Sequence, residues 1–196
     1  MNIAGLIFAA GESTRMGRDK ALLDFHGSTF LNRLIDLFLP RVSPLAVVLG
    51  HHAAAIRGTI SAGPLQVQVV VNEQYKQGML SSFQAGIRAL PPAVSTAMFT
   101  LVDHPAVRES TLDQLIETFE REQPLLVIPR YQGQRGHPVV AARSILDQIL
   151  ALPADSSAKN VIRAHRAETI FVDVSDPGVV TDVDSPLEYQ ELRASS

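Results

Sequence analysis

Ile3 to Ala10 form an unbroken apolar run that ends at Gly11. A run of this length closed by glycine is the pattern of a strand buried on both faces of a parallel sheet. The pattern returns at Leu45–Leu49, closed by Gly50, and at Val67–Val71, Met98–Val102, Leu125–Pro129 and Glu168–Val174. Between these runs the period changes. Phe30, Leu31, Leu34, Ile35 and Phe38 recur at helical spacing behind Ser28 and Thr29, either of which can cap, and Pro40 ends the pattern. Leu112, Leu115, Ile116 and Phe119 form a second stripe, opened by Ser110–Asp113. Strands alternating with helices predict an α/β sheet.

The connections carry the chemistry. The loop after the first strand holds Ser13, Thr14, Arg15 and Lys20, with Gly11 and Gly17 letting the backbone turn sharply. Open main-chain N–H groups there can form an anion-binding concavity. Arg15 offers a planar fork of donors and Lys20 a compact charge, a pair suited to a polyphosphate. The spacing fits neither a P-loop nor G-x-G-x-x-G. Gly78 precedes a helix with Ser81 and Ser82 in its first turn, which reads either as ordinary capping or as a place to hold a ribose or polar ring. Asp103 ends the Met98–Val102 strand, at the edge where open α/β sheets bind ligands.

Further on, Val179–Asp184 reads as a short extended run, so Asp182 and Asp184 share a face, and Ser185-Pro186 starts a helix. His51 and His52 read as a solvated helix start, because neighbouring side chains on a helix diverge by about 100° and cannot reach one metal. His26-Gly27 is a turn.

Composition narrows the function classes. A net charge of −3 on 196 residues argues against a nucleic-acid polymer as partner, though not against a single nucleotide. There is no cysteine, which excludes disulfides, thiolate metal sites and cysteine nucleophiles. No charge-free stretch approaches the ~20 residues that span a bilayer, so a soluble cytoplasmic protein without membrane contact is expected.

The run Leu6–Lys20, LIFAAGESTRMGRDK, resembles the L-A-A-G-x-[GS]-x-R-M-G-x-x-K signature of nucleotidyltransferases with the nucleotide-diphospho-sugar-transferase fold. It is most similar to the molybdenum cofactor cytidylyltransferase-like (MobA-like NTP transferase) branch, with Ala9, Ala10, Gly11, Ser13, Arg15, Met16, Gly17 and Lys20 in register. Further pieces follow in family order: Gly78–Gly86, Asp103-His-Pro105, Arg135-Gly-His-Pro138 and Asp182–Tyr189. At Ala154–Lys159 the likeness frays, since Asp155 and Lys159 correspond but two glycines are missing.

The resemblance implies one three-layer nucleotidyltransferase domain over residues 1–193, with a mixed, mostly parallel sheet and a frayed tail at 194–196. It implies Mg²⁺-dependent transfer of a nucleoside monophosphate to a phosphorylated acceptor, with release of pyrophosphate. Ala9, Ala10, Gly11, Glu12, Ser13, Arg15, Gly17, Lys20, Gly78, Ser81 and Ser82 would bind the nucleotide. Lys20, Arg15 and Asp103 would be catalytic, and Asp103 with Asp184 would hold the metal, with Asp182 the alternative to Asp184. Arg135 and His137 would touch the acceptor. His104 replaces the branch's usual Gln and reads as a surface histidine or as an acceptor contact. Guanine-using relatives tend to carry Gly where this chain has Ala10, so CTP is the expected donor. A molybdopterin-type cofactor is the expected acceptor, with a molybdoenzyme as a further partner. A sugar 1-phosphate or methylerythritol phosphate acceptor, and a cofactor-carrying chaperone without turnover, are the alternatives.

Overall fold

The computed structural model describes residues 3–63 and 65–194. Strand β1 (Ile3–Ala9) is followed by a small hairpin, β2 (Asp24–Phe25) and β3 (Ser28–Thr29), turning at His26-Gly27. Next come α1 (Phe30–Phe38), β4 (Leu45–Leu49), α2 (Ala53–Arg57), β5 (Val67–Val71), α3 (Met79–Ala89) and β6 (Thr96–Leu101). The remainder is α4 (Glu109–Glu122), β7 (Leu126–Tyr131), β8 (Gln134–Arg135), β9 (Val139–Ala142), α5 (Arg143–Leu150), α6 (Ala158–Ala164), β10 (Thr169–Asp173) and α7 (Pro186–Ala194).

The strands lie in the order β10-β7-β9-β6-β1-β4-β5, with β8 paired to β7. β9 and β8 pair antiparallel to their neighbours and every other pair in this sheet is parallel, giving the mixed, mostly parallel sheet expected. β1 is central and buried along its whole length. Its side chains alternate between the faces, as strand geometry requires. Ile3, Ile7 and Ala9 join a cluster with α1, α4 and α7, whereas Ala4, Leu6 and Phe8 join one with α3, α5 and α6. Three layers result.

Burial explains the helices. Phe30, Leu31, Leu34, Ile35 and Phe38 are all fully buried, each contributing about 1.5–3 kcal/mol. Thr29, not Ser28, caps α1, its hydroxyl accepting from the Asn32 N–H at 3.2 Å. At the other end of the chain, Ser185 and Glu188 form a reciprocal cap. Glu188 Oε2 accepts from the N–H groups of Asp184 (2.8 Å) and Ser185 (2.7 Å).

Several sequence expectations shift. Val179–Asp184 is no strand: Pro177–Val179 form a 3₁₀ turn and the chain continues irregularly, pinned by the Val183 N–H on the Asp103 carbonyl at 3.0 Å. Ile116 is only half-buried. The tail expected from Ala194 starts inside α7, and residues 195 and 196 lie outside the described residues. Ser110 does not cap α4, which begins one residue earlier and is capped from far away in sequence. The buried Asp176 accepts from the Arg108 N–H at 2.8 Å and the Thr111 hydroxyl at 2.7 Å through Oδ2, and from the Gly178 N–H at 2.9 Å through Oδ1. One carboxylate thus ties the start of α4 to the turn that leads towards Asp184.

Asp176→Ala leaves those donors without an acceptor inside the protein. It is expected to lower stability by about 2–4 kcal/mol in urea unfolding, whereas Ser110→Ala at an exposed position should change it by less than about 0.5 kcal/mol. Equal effects would refute this account of the cap.

Candidate active site

A cleft of about 400 Å³ opens beyond the carboxyl ends of β1 and β6. Ala9, Ala10 and Gly11 form one side, Val102 and Asp103 another, and Gly78, Met79 and Ser82 of the α3 start a third. Gly78 has φ 102°, a conformation that side chains rarely adopt, and no side chain caps α3. The N–H groups of its first turn therefore suit an anion or polar ring. Gly50 admits a close approach: a Cβ there would stand 2.6 Å from Tyr75 Cβ and 2.7 Å from the Ala10 carbonyl. Tyr75 can in this way close the wall beside the loop.

The loop after β1 is held from within. Ser13 takes a left-handed backbone (φ 50°), and its carbonyl accepts from the N–H groups of Met16 (3.0 Å) and Gly17 (3.1 Å). Its hydroxyl accepts from the Lys20 N–H at 3.2 Å. Met16 is buried and anchors the loop in the core. No atom lies within 4 Å of where a Gly11 Cβ would stand, so that position faces open space.

At the floor, one ammonium meets two carboxylates. Lys20 Nζ donates to Asp103 Oδ2 at 3.0 Å and to Asp184 Oδ1. The more exposed Arg15 guanidinium donates to Asp184 Oδ2 at 2.6 Å. Burial by itself would lower the Lys20 pKa, but Asp103 and Asp184 together outweigh it and hold the ammonium above its ordinary value. The Lys20 hydrogen bond, with help from Arg15, keeps the Asp184 carboxyl below its usual range. Asp103 Oδ1 is buried with no hydrogen-bond partner. Two carboxylates converging on one cation, one with a spare oxygen, form a donor set that fits a hard divalent ion completed by phosphate oxygens and water.

The structure sorts the residues picked out in the sequence. Ala9, Ala10, Gly11, Ser13, Arg15, Lys20, Gly78, Ser82, Asp103 and Asp184 line the cleft. Glu12, Gly17 and Ser81 do not. The Ser81 hydroxyl is spent on the Gly78 and Gln74 carbonyls, at 2.8 and 3.0 Å. Asn72, overlooked in the sequence, is buried and donates to both serine hydroxyls, at 2.9 and 3.1 Å. Thr14, Asp19, Ile56, Tyr75 and Met79 also line the cleft. Asp19 and Thr14 stood inside the recognised loop; Tyr75 lies in the polar run Asn72–Gln77, where nothing in the pattern sets it apart.

The expected acceptor residues lie outside this lining. Arg135 is exposed on β8. His104 is not a surface histidine: it is buried, with its ring 4.9 Å from that of His137 and its Nε2 3.8 Å from Asp103 Oδ1. Nδ1 of each ring is buried without a partner. Burial lowers the pKa of both, that of His137 to about 3. The histidine pair after β4 does stand at a helix start, with His52 the exposed N-cap of α2, but its rings do not diverge as expected. His52 has a left-handed backbone (φ 49°) and α2 starts only at Ala53, so neither ring belongs to a helix. Their centroids lie 3.7 Å apart.

Residues 5–169 match the MobA-like NTP transferase domain. The chain belongs to that family. This MobA-like NTP transferase is 24% identical to the molybdenum cofactor cytidylyltransferase of Escherichia coli K12, over 94% of its own length and 92% of that protein's. It is 27% identical to the nicotine blue oxidoreductase of Paenarthrobacter nicotinovorans, covering 97% and 96% of the two chains. A probable molybdenum cofactor guanylyltransferase of Mycobacterium ulcerans is 28% identical, over 94% and 90%. Among solved structures, Rv0371c of Mycobacterium tuberculosis in complex with manganese is 25% identical with a TM-score of 0.79, covering all of both chains. Among the described residues, no helix is long and apolar enough to cross a membrane.

The two buried imidazoles give the transferase a pH signature. His137 titrates near 3 in the fold against 6.5 in the unfolded chain, so between those values the unfolded state binds a proton that the native state does not. Its contribution is complete above pH 6.5 and is lost as pH falls, by about 1 kcal/mol per pH unit. Stability measured from pH 6.5 down to 5 should therefore decline less steeply in His137→Asn than in the parent. Parallel slopes would show that His137 is not neutral in the fold.

Proposed function

We propose that this nucleotidyltransferase moves CMP from CTP onto the phosphate of a molybdopterin-type acceptor, with Mg²⁺ held by Asp103 and Asp184. The observation that carries the reading is the Lys20 ammonium bonded to both carboxylates at the floor of a loop-lined cleft, with Arg15 beside it. Nucleotidyl transfer needs charge neutralisation and positioning more than an acid or base. An acceptor phosphate oxygen attacks the α-phosphorus, the bond to the bridging oxygen breaks, and that oxygen's electrons leave with pyrophosphate. Lys20 has three N–H donors, of which two are engaged by carboxylates, leaving one for a phosphate oxygen. Arg15 supplies a fork that suits the outer phosphates. The divalent ion would neutralise triphosphate charge.

Ala10 supports CTP over GTP. Ala10 lines the cleft, and a methyl where guanine-using relatives tend to carry Gly would narrow a base pocket against a purine, a discrimination of about 1–3 kcal/mol. The relatives include both a cytidylyl- and a guanylyltransferase, so the donor is decided by assay. Rv0371c was solved with manganese, which is consistent with a divalent-ion requirement here.

Pyrophosphate release is the test. It should require acceptor and Mg²⁺ and proceed faster with CTP than with GTP; a clear GTP preference would overturn the donor assignment. Without any release, a binding role free of turnover would take its place. Asp103→Asn and Asp184→Asn should each fold and lose turnover by about 10²–10³. Lys20→Ala should lose turnover and also melt earlier, because it leaves two carboxylates facing one another without their cation.

A further inference from the structure

We propose that Asp19, His51 and His52 form a second divalent-metal site, suited to a borderline transition ion such as Zn²⁺ and distinct from the Asp103–Asp184 pair. One ligand atom from each residue lies within 4.8 Å of the other two. Ligand atoms around a tetrahedral ion with bonds of about 2.0–2.1 Å stand about 3.4 Å apart, so small side-chain rotations close the set. One edge is already formed, with His52 Nδ1 at 2.9 Å from an Asp19 carboxylate oxygen.

The backbone builds the convergence. The left-handed turn at His52 brings its ring over that of His51 instead of sending it round a helix. His51 is fixed at the root of the loop by its N–H on the Ala10 carbonyl at 3.2 Å. Asp19 arrives from the other end of that loop, and its side chain is mostly buried while His52 remains exposed. The cluster is therefore open to solvent on the His52 side, leaving room for a water or an exogenous ligand as the fourth donor. Two imidazoles with one carboxylate favour zinc, cobalt or nickel, whereas Mg²⁺ seeks oxygen donors. The chain thus carries two donor sets of different hardness, and Asp19 places the softer one in the wall of the cleft, next to Lys20. An ion there would clamp both ends of the loop to the end of β4.

The test uses the full chain freed of metal by chelation and then titrated with Zn²⁺ against a competing chelating dye, in excess Mg²⁺. The parent should bind one equivalent of Zn²⁺, and Co²⁺ in its place should give the visible spectrum of a tetrahedral site. His51→Ala and His52→Asn should each weaken zinc binding at least 100-fold, more than the loss of an outer-shell partner costs. Asn tolerates the left-handed backbone, so the second variant should keep the metal-free melting temperature of the parent. Asp103→Asn should still bind zinc. Displacement of zinc from the parent by Mg²⁺, unchanged affinity in His51→Ala and His52→Asn, or loss of zinc in Asp103→Asn would each overturn the proposal. None of these outcomes depends on which nucleotide or acceptor the cleft takes.

Discussion

The contact between the Lys20 ammonium and the carboxylates of Asp103 and Asp184 joins three parts of the chain that nothing local would bring together. Each partner alone would be costly where it sits. An unpaired ammonium at this depth or two facing carboxylates would destabilise the fold, and removing one member of such a pair costs about 3–5 kcal/mol when burial is complete. With Arg15 added, two positive groups face two negative ones. That balance lets the loop after β1 lie down on the sheet edge.

What surrounds this contact serves to hold its members still. β1 is fixed by packing on both faces, so the residues that leave its end start from a rigid point. Asp103 leaves β6 in the same way, one strand over. Asp184 has no strand behind it and depends on hydrogen bonds instead: the Val183 N–H on the Asp103 carbonyl, Glu188 on the Asp184 N–H, and Asp176 on the turn upstream. The site is rigid on one side by packing and on the other by polar contacts.

This division marks what was legible in the sequence. Leu45–Leu49 and Val67–Val71 could be read to the residue, because short apolar runs closed by turn residues carry their own signal. Ala9 to Lys20 were legible as a motif, and the loop does line the cleft. Contacts made across long separations were not. The cap of α4 comes from a residue 68 positions beyond the N–H it accepts, so the local run Ser110–Asp113 carries no sign of it. His104 read as a surface residue because its enclosure depends on His137, which belongs to another strand connection. His51 and His52 were legible as a helix start, but the convergence of their rings was not, because a left-handed backbone at a non-glycine residue leaves no trace in hydrophobic pattern. Ser81 had the right type and spacing, yet its hydroxyl was already committed to backbone carbonyls.

Lys20 and Asp184 stand 164 residues apart. During synthesis every strand of the sheet is made before the second carboxylate can arrive. Until then the nascent protein can form most of its sheet, with Lys20 facing Asp103 alone and the loop lacking its outer anchor. Full charge balance thus follows the sheet in the order of the chain. A chain that stopped after β10 would hold every strand of the sheet and still lack the second carboxylate at the floor of its cleft, so that the scaffold precedes the charge balance it supports.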